Sequence, residues 1–63
     1  MIIRRNSSLT GKIHEMEIPV TEDQMNLWRS GVPIQNAMPN LTPGQREFIK
    51  TGITEQEWDT YLP

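Results

Sequence analysis

Residues 42–58 read TPGQREFIKTGITEQEW, and this stretch determines how the second half of the chain folds. It contains two sites with the form of a capping box, TPGQ at 42–45 and TEQE at 54–57. In a capping box, a threonine hydroxyl and the side chain three residues later bond each other's backbone amides at the start of a helix. Gly52, between the two sites, is typical of a left-handed helix end. We therefore expect one helix over 43–51 and another that begins after the second box.

The same signals occur earlier in the chain. Residues 21–24, TEDQ, form a third capping box with acidic residues where the helix dipole favours them, and Gly31 ends the pattern. This predicts a helix over 22–30. A short helical piece at 34–38 is bounded by proline on both sides, so it cannot extend beyond about two turns.

The first third of the chain has the pattern of two strands. Ile2 and Ile3 are β-branched, residues 6–11 are a polar loop that ends in glycine, and Met16 and Ile18 alternate with glutamates. This predicts a β-hairpin. Because a two-stranded hairpin is only marginally stable by itself, its apolar side must lie on helices or on another copy of the sheet.

Together these elements predict a single small α+β domain over residues 1–63. An N-terminal β-hairpin (1–19) packs on three short α-helices (20–63), because so short a chain cannot divide into two independently packed cores. The expected core draws on apolar residues from every element: Met16, Ile18, Met25, Trp28, Ile34, Leu41, Phe48, Ile49, Ile53 and Trp58. Tyr61 is expected at the surface.

The composition excludes several classes of function. Six Lys and Arg against eight Asp and Glu give a net charge of −2, which argues against nucleic acid as a partner. With no cysteine and one histidine, the chain has no zinc-thiolate site, and we expect neither a metal nor another cofactor. His14 is interpreted as a solvent-facing side chain, because no nucleophile or second acid accompanies it. The protein is therefore not expected to be an enzyme.

The apolar residues do not form a long continuous segment. The longest apolar run, residues 1–3, is far too short to span a membrane or to form the apolar part of a secretion signal. We therefore expect a cytoplasmic protein that does not use the membrane as a partner.

Residues 28–58 carry a spaced set of residues of the form W-x2-G-x2-IQ-x-A-x-P-x-L-x4-REF-x2-TGIT-x2-EW. In this order and spacing the chain resembles a group of short, functionally uncharacterised proteins encoded by bacteriophages and prophages. The resemblance covers about half of the chain. It implies a phage protein that acts in the cytoplasm of an infected bacterium, and it implies no activity, cofactor or catalytic residue. The hairpin lies outside the matched stretch, which makes it a candidate for partner choice.

Five side chains are candidates for contact with a partner: Arg4, Arg5, Gln35, Arg46 and Tyr61. Arg46 offers a planar fork to a carboxylate or phosphate, or else is an exposed arginine on a helix face. Gln35 is a recognition element, or else satisfies backbone groups that a short helix leaves open. Arg4 and Arg5 form a small anion-binding patch, or else guard a strand edge against aggregation.

From these features we predict a small phage accessory protein that acts by binding. It engages and modulates a host protein, or pairs with a copy of itself, through the hairpin edge and the exposed aromatic end. Two alternatives stay open. The C-terminal helix pair has helix-turn-helix spacing, as in a small DNA-binding regulator, although its last helix is acidic. The other alternative is a self-assembling protein that binds a small molecule between its copies.

Overall fold

The computed structural model describes residues 1–62. The elements follow one another as β1 (Ile2–Asn6), β2 (Ile13–Glu17), α1 (Glu22–Arg29), α2 (Ile34–Ala37), α3 (Pro43–Thr51) and α4 (Glu55–Tyr61). The predicted α+β class, with an N-terminal hairpin followed by helices, is confirmed. The short piece at 34–38 is a one-turn helix, so the described part of the chain contains four helices.

The hairpin has one face toward the helices and one toward solvent. β1 and β2 pair antiparallel, with Ile3 opposite Met16 and Arg5 opposite His14. These four side chains are buried or half-buried, whereas the residues that alternate with them along each strand are exposed. The alternation follows from the two-residue period of a strand, which sends successive side chains to opposite faces.

The loop between the strands is ordered by Ser7, a buried polar residue. Its amide donates to the carbonyl of Lys12 (2.8 Å), and its hydroxyl oxygen accepts from the amides two and three residues later (3.2 and 3.3 Å). The amide of Ser8 donates to the carbonyl of Thr51 (3.0 Å), which ties the loop to the end of α3.

The three longer helices begin as the sequence predicts. The hydroxyl oxygens of Thr21, Thr42 and Thr54 accept from the amide three residues later at 3.1–3.2 Å, and the side chain at that position accepts from the threonine amide in return. The bonds satisfy amides that every helix start otherwise leaves open.

The end of α3 meets the end of β1 at Gly52. This glycine has a φ of +77°, and a Cβ in its place would lie 2.2 Å from the carbonyl oxygen of Asn6. Both the left-handed backbone and the close approach therefore require glycine. β1 lies against α3 as a result.

The core lies between the hairpin and the helices. Six of the expected core residues are buried: Ile18, Met25, Leu41, Phe48, Ile49 and Ile53. The other four are half-buried: Met16, Trp28 and Ile34, which pack against the core, and Trp58. Buried apolar residues that the sequence did not predict are Ile3, Val20, Ala37 and Met38. Val20 and Met38 lie in irregular segments next to prolines, where no helical or strand period indicates which side chains point inward.

No helix among residues 1–62 combines the length and the apolar character that crossing a membrane requires.

Candidate functional site

An open groove runs beside β2, between the strand and the N-terminal ends of α3 and α4. It consists of two adjoining depressions of about 500 and 220 Å³, which share His14, Thr54 and Gln56. The larger is completed by Met16, Thr42, Gly44, Gln45 and Glu55, and the smaller by Lys12, Glu57, Thr60 and Tyr61. We call this surface the β2 groove.

Glu57, in the wall of the groove, is buried although it is charged. It is only 6% exposed. Its Oε1 accepts from the amide of Thr54 (3.1 Å) and completes the capping box of α4, whereas Oε2 accepts from the hydroxyl of Thr10 (2.5 Å). One carboxylate therefore starts the last helix and fastens the hairpin loop to it.

These bonds lower the pKa of Glu57 from its ordinary value of 4.5 to about 2. The bond from the Thr10 hydroxyl is the largest cause, and burial, which raises the pKa, opposes it. The Thr54 amide, His14 and Ser7 lower the pKa further. Hydrogen bonds to the charged form thus outweigh its desolvation, and the carboxylate is ionised at neutral pH.

His14 does not face solvent, so the interpretation made from the sequence is wrong. Its side chain is 27% exposed, and Nε2 lies 3.1 Å from Oε2 of Glu57. Nε2 is shielded from solvent and makes no well-aligned hydrogen bond within the described chain, so the contact is an ion pair when the imidazole is protonated. The sequence missed this contact because the two residues are far apart in the chain.

We expect Glu57→Gln to reduce the acid sensitivity of the fold. Because the folded-state pKa is lowered, the carboxylate stabilises the protein above pH 4.5, and this contribution is lost as the pH falls from 4.5 to about 2. Glutamine keeps the capping box, as Gln24 and Gln45 do in the other two helices. The variant is expected to be less stable than wild type at pH 7, and to lose less of its stability over this acid range.

The measurement is urea unfolding followed by tryptophan fluorescence at several pH values in that range. Glu55→Gln, which neutralises an exposed carboxylate in the same turn, is the matched control. Its free energy of unfolding should fall over this pH range by as much as that of wild type. If the free energy of unfolding falls equally for Glu57→Gln and wild type over this pH range, Glu57 does not contribute to acid unfolding.

Two of the five predicted contact residues bond the protein's own backbone. Arg5 donates from Nη1 to the carbonyl of Ile49 (2.7 Å) and from Nη2 to that of Lys50 (3.2 Å), near the end of α3 where the helix dipole favours a cation. Arg46 donates from Nη1 to the carbonyls of Met38 (3.3 Å) and Leu41 (2.9 Å). Arg46 is half-buried, so the alternative of an exposed arginine on a helix face is wrong.

The other three predicted contact residues are exposed and belong to three different elements. Arg4 is on the solvent face of β1, opposite Glu15, and Gln35 is on α2. Tyr61 is 54% exposed at one end of the β2 groove. Gln35 makes none of the side-chain hydrogen bonds found within residues 1–62, and the carbonyls of Met38 and Leu41, which follow α2, accept from Arg46 instead.

The sequence contains one signal that identifies Glu57 as different from its counterparts. The capping boxes of α1 and α3 use glutamine, whose single side-chain oxygen accepts from the threonine amide. Glutamate has a second oxygen, and in α4 this oxygen accepts from Thr10. The partner itself was not predictable, because Thr10 belongs to a loop 47 residues away.

The groove offers surfaces suited to recognition. Its lining combines hydroxyl and amide groups with the apolar side chain of Met16 and the ring of Tyr61. Across residues 1–62, no three His, Asp or Glu side chains come together as a metal site would require. Lys12 in the smaller depression and Glu55 in the larger one are exposed charged side chains of the lining.

Comparison of the chain with protein-family models, with curated proteins and with solved structures found no match.

Proposed function

We propose that this protein is a small binding module that acts through contact with another protein rather than through catalysis. The observation that supports this most directly is the β2 groove, an open groove beside a strand edge with an exposed tyrosine at one end. Tyrosine is enriched at binding hot spots because its ring buries much apolar area and its hydroxyl keeps a hydrogen bond.

The exposed apolar side chains support the same proposal. Ile13 is 55% exposed on β2, and Tyr61 and Leu62 are 54% and 48% exposed. A standard interface covers about 800 Å² per partner, which is about a fifth of the 4162 Å² surface of the described chain. Because an interface larger than this would cover an even greater share of so small a surface, we propose a contact of no more than standard area. Its partner is a host protein or a second copy.

The setting of this binding rests on the resemblance to phage and prophage proteins. We propose that the protein acts in the cytoplasm of a bacterium as a phage accessory protein, and that binding modulates the host protein it contacts. Arg4 and Gln35 remain proposed contact residues, because their side chains are exposed.

We expect Tyr61→Ala to weaken capture of the partner about tenfold without unfolding the protein, since the ring is a proposed hot spot at an exposed position. The tagged protein is incubated with bacterial lysate at low and high salt, and the retained proteins are quantified by mass spectrometry. Leu27→Ala is the matched control, because Leu27 is 48% exposed on α1 and is not part of the groove.

Retention of a specific protein by wild type and the control, with loss in the Tyr61 variant, is the expected result. If wild type and both variants retain the same proteins, the binding surface lies elsewhere. Retention of nucleic acid alone, lost at high salt, would favour the DNA-binding alternative.

A further inference from the structure

The backbone of β2 has an unpaired edge whose groups can be identified from the pairing. The amide of Ile18 donates to the carbonyl of Met1 (3.0 Å), and that of Ser7 donates to the carbonyl of Lys12 (2.8 Å). In an antiparallel pair such bonded positions alternate, so His14 and Met16 also bond β1. The amides and carbonyls of residues 13, 15 and 17 therefore point away from β1. Within residues 1–62 the sheet has two strands, so this edge is unpaired.

The β2 groove lies beside this edge on the helix side of the sheet. His14 and Met16, which point inward from β2, line it together with the starts of α3 and α4. A strand added to the edge would send every second side chain into the groove and the others to the solvent face. β2 is five residues long, which corresponds to about 17 Å of extended chain.

The charges beside the edge indicate what kind of strand fits. Glu15 and Glu17 lie on the solvent face of β2, and Glu55 lies on the opposite wall of the groove. Glu17 is paired with the amino group of Met1 at 3.1 Å, whereas Glu15 takes part in none of the ion pairs found in the described chain. An added strand with basic side chains on its solvent face would place them opposite these glutamates.

A second copy of the chain is a poor occupant of the same edge. Pairing β2 with β2 of another copy would bring four glutamates together, Glu15 and Glu17 from each, and the outward positions of this strand hold no Lys or Arg. Like charges that face each other across strands are destabilising. Charge complementarity therefore favours a different chain.

We propose that the β2 edge binds an extended segment of a partner protein as an added antiparallel strand, with basic residues on its solvent face and apolar residues in the groove. This inference rests on the binding function proposed above and specifies the partner's chemistry. Antiparallel pairing is preferred because its hydrogen bonds are slightly stronger per residue.

The probe is a fluorescent peptide of about six alternating lysine and valine residues, long enough to cover β2. Its affinity for the whole protein is measured by fluorescence anisotropy. In the proposed pairing, lysine residues lie opposite Ile13, Glu15 and Glu17, so the amides of the lysines face β2 and those of the valines face away. N-methylation of the lysine amides is expected to weaken binding at least tenfold, whereas N-methylation of the valine amides changes it less than twofold.

The charge complementarity is tested with the unmodified peptide. Glu15→Gln is expected to weaken binding several-fold and to lower its salt dependence, because Glu15 faces a lysine in the proposed complex. Glu22→Gln on α1 is the matched control and should bind as wild type does, since Glu22 is exposed and is not part of the groove.

Equal effects of the two methylation patterns, or no binding of the peptide, would overturn strand addition. If the peptide fails while a cellular protein is still captured in a Tyr61-dependent way, the binding function stands and only the added strand is rejected. A dimer in analytical ultracentrifugation that Glu15→Gln strengthens would identify a second copy as the occupant and would also overturn the proposal.

Discussion

Gly52→Ala is expected to remove most of the stability of the protein at 25 °C. An L-residue in the left-handed conformation of Gly52, at a φ of +77°, costs about 1–2 kcal/mol. The added Cβ would also lie 2.2 Å from the carbonyl oxygen of Asn6 and 2.7 Å from its carbonyl carbon. Both atoms belong to the backbone, so no change of rotamer relieves the clash and β1 must move away from α3. We expect a total loss of about 3 kcal/mol or more.

A loss of this size matters because the domain is small. A core in a domain of this length rarely supplies more than about 3–5 kcal/mol of stability. Displacement of β1 would also pull Arg5 away from the carbonyls of Ile49 and Lys50. The close packing of Asn6 on Gly52 and the Arg5 hydrogen bonds are therefore expected to be lost together.

Gly11→Ala separates the cost of the left-handed backbone from the cost of the clash with Asn6. Gly11 has almost the same φ, +76°, but a Cβ there would meet no atom within 4 Å. Only the backbone cost applies, about 1–2 kcal/mol. Thermal unfolding followed by circular dichroism measures both variants. If the two variants lose similar stability, the close approach of Asn6 to Gly52 does not contribute to the effect of the substitution.

Arg46→Ala is expected to lower the free energy of unfolding by about 2 kcal/mol, because it leaves the carbonyl of Leu41 without its donor and the carbonyl of Met38 with only the amide of Leu41. The guanidinium bonds the carbonyls of Met38 and Leu41, both of which belong to buried residues in the irregular segment between α2 and α3. This segment has little regular hydrogen bonding of its own. The side chain of Asn40, which donates to the carbonyl of Pro19 (2.9 Å), supports it from the other side.

Arg29→Ala is the control for the loss of a charge. Arg29 is exposed on α1 and donates to the side chain of Asn26 (3.2 Å), so its replacement is expected to change stability by no more than about 0.5 kcal/mol. Urea unfolding of both variants measures the difference. If Arg46→Ala is as stable as wild type but loses a partner in the capture experiment, its predicted contact role would replace the structural one.

Local signals predicted most of the secondary structure. Each capping box involves residues three positions apart, so the starts of α1, α3 and α4 are determined within a few residues of sequence. Gly52 likewise predicted the end of α3. Such features do not depend on the rest of the chain, which explains why the helix bounds agree closely with those expected.

The site was less predictable because its contacts join distant parts of the chain. Arg5 bonds a carbonyl 44 residues away, and Thr10 bonds Glu57 47 residues away. No periodic pattern indicates such pairs. His14 was misinterpreted for the same reason, because no acid-base partner accompanies it in the sequence, whereas in the fold Oε2 of Glu57 lies 3.1 Å from its Nε2. Tyr61 is exposed as expected, and its place at the end of the groove became visible only in the fold.

The bond between Thr10 and Glu57 has a consequence for the order of events during translation. The hairpin is synthesised first, but the carboxylate that holds its loop is added 47 residues later. Until then the nascent hairpin has neither α3 nor α4 to pack on, and a two-stranded sheet alone is marginally stable. The domain therefore reaches its native state only after α4 has left the ribosome, and a chain stalled before that point would expose both edges of the hairpin to the cell.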